Sequence, residues 1–89
     1  MITNITIDKV TYRISKDPTD FFKDNLLMQQ KCCVALDMMK DCLDYIYELL
    51  KPFYPRVFKP ELYISDSKEC NAVAYQGKII IIYAGLILQ

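Results

Sequence analysis

Eighty-nine residues, 53% of them apolar and 25% charged, make one small domain with a modest core and exclude a disordered chain. Eleven basic residues balance eleven acidic ones, with neither sign segregated, which excludes the electrostatic footprint of a nucleic-acid binder. No run approaches the ~20 apolar residues of a membrane-spanning helix and no apolar leader opens the chain, so a cytoplasmic protein is expected.

The first predicted element is an extended arm or strand within residues 1–16. Ile5, Ile7, Val10, Tyr12 and Ile14 alternate weakly with polar residues, and β-branched and aromatic types dominate. Asp17-Pro18 then supplies a helix start: Asp17 can cap, Pro18 suits the first helical position, and Asp20 adds favourable charge. A long helix is expected over 17–51. Its apolar stripe runs through Met28, Cys32, Ala35, Met39, Cys42, Ile46 and Leu49, widened by Leu36, Leu43 and Leu50. Pro52 ends it. At ~1.5 Å per residue such a helix is long for this domain, so a break near Asn25–Gln30 or a partner for the helix is expected.

Residues 52–60 hold prolines and aromatics and read as a connector whose aromatics pack onto the body. Residues 61–89 then carry strands, a hairpin and the start of a helix. Glu61–Ser65 is a short strand, and Cys70–Tyr75 and Lys78–Tyr83 flank a Gln76-Gly77 turn in which glycine takes positive φ. Four consecutive isoleucines, Ile79–Ile82, call for a strand covered on both faces. One helix covers only one face, so a further layer is expected. The fold class is α+β: an N-terminal extended segment, a long amphipathic helix, and a small, mostly antiparallel sheet ending in a β-hairpin.

Chemistry-bearing residues are sparse. Cys32, Cys33, Cys42 and Cys70 form no C-x-x-C pair, and histidine is absent, so reduced cysteines packed as small hydrophobes are expected rather than zinc ligands or nucleophiles. Met28, Met38 and Met39 follow the apolar period and read as core. Asp37, Asp41, Asp44 and Glu48 lie on the opposite side without a ligand loop and read as a solvated face. No catalytic residue and no metal ligand is assigned.

The stretch ELYISDSKECNAVAYQGKIIIIYAGLI resembles the segment that precedes the catalytic helix in zinc metallopeptidases of the HExxH class, in their thermolysin-like and heat-shock-protease branches. The matching residues are Asn71-Ala72-Val73-Ala74, then Gly77, Ile79–Tyr83 and Gly85-Leu86; they cover about a third of the chain. The resemblance implies that Asn71, Ala72, Val73 and Ala74 border a cleft and pair with an extended peptide substrate by strand addition. The chain departs from the family in having no histidine and no HExxH helix, so it is inactive as it stands, and zinc is expected only if a catalytic half follows. The chain thus reads as the non-catalytic, substrate-cleft portion of a zinc-dependent peptidase. The alternative is a small non-enzymatic module for protein interaction or homo-oligomerisation, its partner a protein rather than a nucleic acid or membrane.

Overall fold

In a computed structural model, residues 1–88 form a five-stranded sheet with one long helix on one face. The α+β class and the closing hairpin are as expected. The strands are β1 (Thr3–Ile7), β2 (Val10–Ser15), β3 (Glu61–Ser65), β4 (Ala72–Tyr75) and β5 (Ile79–Tyr83). The helices are α1 (Leu26–Leu50) and the short α2 (Ala84–Ile87). The sheet order is β1-β2-β3-β5-β4, antiparallel except for the parallel β3–β5 pair.

The N-terminal arm is not one extended segment but a hairpin. Asp8 and Lys9 both adopt positive φ, closing a two-residue turn with Ile7 opposite Val10. The sequence carries the mark of this turn, because the apolar positions switch parity between Ile7 and Val10. Cross-strand pairing puts Ile5 against Tyr12 and Thr3 against Ile14, so all the apolar positions share one face.

The expected break in the helix lies at Asn25. Asp17 caps only a single 3-10 turn, Pro18–Asp20, its carboxylate accepting from the Thr19 N–H at 2.9 Å. Asn25 then opens α1, its Oδ1 accepting from the Met28 N–H at 3.1 Å. Behind the 3-10 turn, the buried Ser15 hydroxyl donates to Asp20 Oδ2 and accepts from the Asp17 N–H, so the strand-to-helix crossing is polar but satisfied.

The core is split by the sheet. On the helix side, Cys32 and Leu36 of α1 pack on Leu62, Ile64, Ile82 and Ala84. On the other side, Ile7, Ile14, Ile81 and Tyr83 form a second cluster with Tyr12, Tyr63 and Val73 at its margin. No helix covers this second face. The twist of the sheet instead curls the β1–β2 hairpin back toward β5, bringing the Tyr12 and Tyr83 ring centroids to 6.2 Å. Ile81 and Ile82 are therefore both buried, at 0% and 8% exposure, without the further layer that the isoleucine run called for.

Two packing expectations are corrected. No residue of α1 beyond Leu36 is fully buried, and Cys42, Ile46, Leu49 and Leu50 of the expected core stripe are exposed, as is Met38. Only Cys32 and Leu36 of this 25-residue helix are buried, so the sheet covers its N-terminal half and leaves most of its C-terminal end exposed. The aromatics of the connector also face solvent: Phe53, Tyr54 and Phe58 are all exposed. Prolines at 52, 55 and 60 keep this segment from folding back, and its ties are an ion pair between Lys59 and Asp44 and the Lys78 ammonium over the Phe58 ring at 5.7 Å.

Candidate functional site

The segment singled out by the sequence, Asn71-Ala72-Val73-Ala74, lies at an end of the sheet. β4 pairs only with β5, and Asn71, Ala72 and Ala74 are exposed while Val73 is half-buried. The Tyr83 N–H donates to the Asn71 carbonyl at 3.1 Å. In an antiparallel ladder bonded and non-bonded pairs alternate, so Val73 is turned inward to Ile81 while the N–H and C=O groups of Ala72 and Ala74 point away from the sheet. Asn71 occupies one of these outward donors itself: its Oδ1 accepts from the Ala72 N–H at 2.8 Å. The edge is held in place from its far end by the Gln76-Gly77 turn. Both residues have positive φ, and the Lys78 N–H closes the turn on the Tyr75 carbonyl at 3.0 Å.

Beside this edge lies a groove that sequence reasoning missed. Its floor is Leu62, Ile80 and Ile82 of the sheet, and its wall is Met38, Met39, Cys42 and Ile46 of α1. It measures about 510 Å³, and its lining is apolar throughout. Ala72 and Ala74 stand opposite Ile82 and Ile80, on the same face, and their small side chains do not close that side off. The signal was present in α1, whose apolar positions cover an arc of roughly 200° when placed at 3.6 residues per turn. A helix resting on one sheet needs about half of that.

Among the described residues no three His, Cys, Asp or Glu side chains come together. The four cysteines are unpaired and dispersed, Cys32 buried in the core and Cys42 and Cys70 exposed. Burial, reinforced by neighbouring Cys33, pushes the Cys32 thiol up, and burial together with Asp17 and Asp37 does the same to Cys33. Both are held in the unreactive thiol form. Comparison with known protein families, curated proteins and solved structures finds no match for this chain. None of the described helices is long and apolar enough to cross a membrane.

Proposed function

We propose that this chain supplies the peptide-binding edge of a substrate cleft, the part of a zinc-dependent peptidase that aligns an extended peptide and contributes no metal ligand. The observation that carries this reading is the open edge of β4, where the outward backbone groups of Ala72 and Ala74 have no strand partner. An extended peptide laid along β4 makes main-chain hydrogen bonds with the Ala74 N–H and with the Ala72 and Ala74 carbonyls, the Ala72 N–H being held by Asn71 Oδ1. Its alternate side chains reach the apolar groove floored by Ile80 and Ile82, so the peptide it takes has apolar residues at every second position. The resemblance of this same segment to the strand before the catalytic helix of HExxH peptidases makes the partner a substrate rather than a structural strand.

Calorimetric titration with a short blocked peptide of alternating Leu and Thr tests this. The unmodified chain binds it. Ala74→Pro deletes an outward N–H without breaking a bond to β5, so the fold by circular dichroism is retained while affinity falls at least roughly tenfold. Absence of binding to the unmodified chain, or equal binding by Ala74→Pro, contradicts the reading.

A further inference from the structure

Half of the apolar arc of α1 lies against nothing in the fold, and its pattern specifies what covers it. Leu27, Val34, Met38, Tyr45 and Leu49 share the side turned from the sheet, and each is between 53% and 68% exposed. Leu27, Val34, Met38, Tyr45 and Leu49 recur at alternating steps of seven and four, which keeps them along one side of the helix. The charges along this seam are polarised. Lys31 lies in its N-terminal half, between Leu27 and Val34, whereas Asp41 and Glu48 border its C-terminal half. Asp44, farther round the helix, is already paired with Lys59.

This polarity opposes the helix macrodipole. The first turn of α1 has no acidic residue and the last turn no basic one, while acidic groups accumulate toward the C-terminal end. An isolated α1 gains nothing from that distribution. A second helix running the other way does, because its positive half meets the negative half of the first.

We propose that α1 docks a second copy of this chain, antiparallel and two-fold about Met38. With Met38 at the axis, Leu27 faces Leu49, Val34 faces Cys42, and Lys31 faces Tyr45, which stands between Asp41 and Glu48 on the neighbouring helix turns. Each Lys31 therefore meets the acidic pair of the other copy, twice over by symmetry. A parallel pairing would set Lys31 against Lys31. The formal net charge of zero leaves no overall repulsion between copies. The inference does not rest on the peptide-binding reading, since no residue of β4 takes part, although Met38 and Cys42 also wall the groove beside β4.

Sedimentation equilibrium at sub-millimolar concentration and low salt tests it. The unmodified chain sediments at twice the monomer mass. Lys31→Glu is monomeric, and so is the double variant Asp41→Lys/Glu48→Lys; all three positions are exposed, so circular dichroism stays unchanged. Mixing the two variants restores a dimer, because each now carries the charge the other lacks. A monomeric unmodified chain, a dimer that survives both reversals, or a mixture that remains monomeric overturns the proposal.

Discussion

At the scale of single residues, short polar side chains tie the joints between elements. Ser15 ties a strand end to the 3-10 turn, Asn25 starts α1, and Asn71 folds its amide oxygen onto the N–H of the residue that follows it. Asp17 was legible as a cap because a short polar side chain before a helical proline has few other uses, and Asn25 was legible only as the start of an expected break. The local role of Asn71 was not legible, since the same residue type also suits substrate contact. Tyr83 shows how packing perturbs a titratable group. Burial foremost, then the adjoining Tyr12 hydroxyl, pushes its phenol up to about 12, from an ordinary value of 10.0. The neutral form is the one that packs, so this contribution to stability is fully present below pH 10 and is lost as pH rises from 10 toward 12. Urea unfolding across that window should show a falling midpoint, and Tyr83→Phe should flatten the fall relative to the parent chain. An identical fall in Tyr83→Phe would assign the alkaline loss to other groups.

Elements were legible wherever local chemistry and tertiary context agreed. The β4–β5 hairpin follows from Gln76-Gly77, and the run of isoleucines is a strand because β-branched side chains fit a pleated, covered surface. The β1–β2 hairpin was missed because Asp8-Lys9 lacks the glycine that usually marks a turn, although the parity switch between Ile7 and Val10 recorded it. The core stripe of α1 was read too wide because periodicity marks every apolar position and cannot tell which half of the arc meets the sheet. The junction of β5 with α2 packs closely on the 66–70 loop. A Cβ on Gly85 would overlap the backbone carbonyls of Lys68 and Glu69, and the Gly85 N–H already donates to the Ser67 carbonyl at 3.0 Å. Gly85→Ala must push the 66–70 loop off the helix start, and loss of about 1–3 kcal/mol in denaturant unfolding is expected. An unchanged unfolding midpoint would mean that the loop yields freely.

For the whole molecule, topology supplies what the sequence could not. The expectation of a missing layer over Ile79–Ile82 came from counting one helix for two faces. Curling of a five-stranded sheet covers the second face with its own hairpin, a non-local arrangement to which no single segment testifies. The parallel β3–β5 pairing is likewise set by the crossover and not by either strand. What the architecture leaves open is one sheet edge and one helix face, and the peptide-binding account rests on the edge. The most direct test is a backbone amide map of the chain titrated with the alternating Leu/Thr peptide. The account predicts that the Ala74 amide shifts and slows in hydrogen exchange while the inward Val73 amide exchanges as before. Perturbation confined to α1, or spread evenly with no slowing at Ala74, would contradict it.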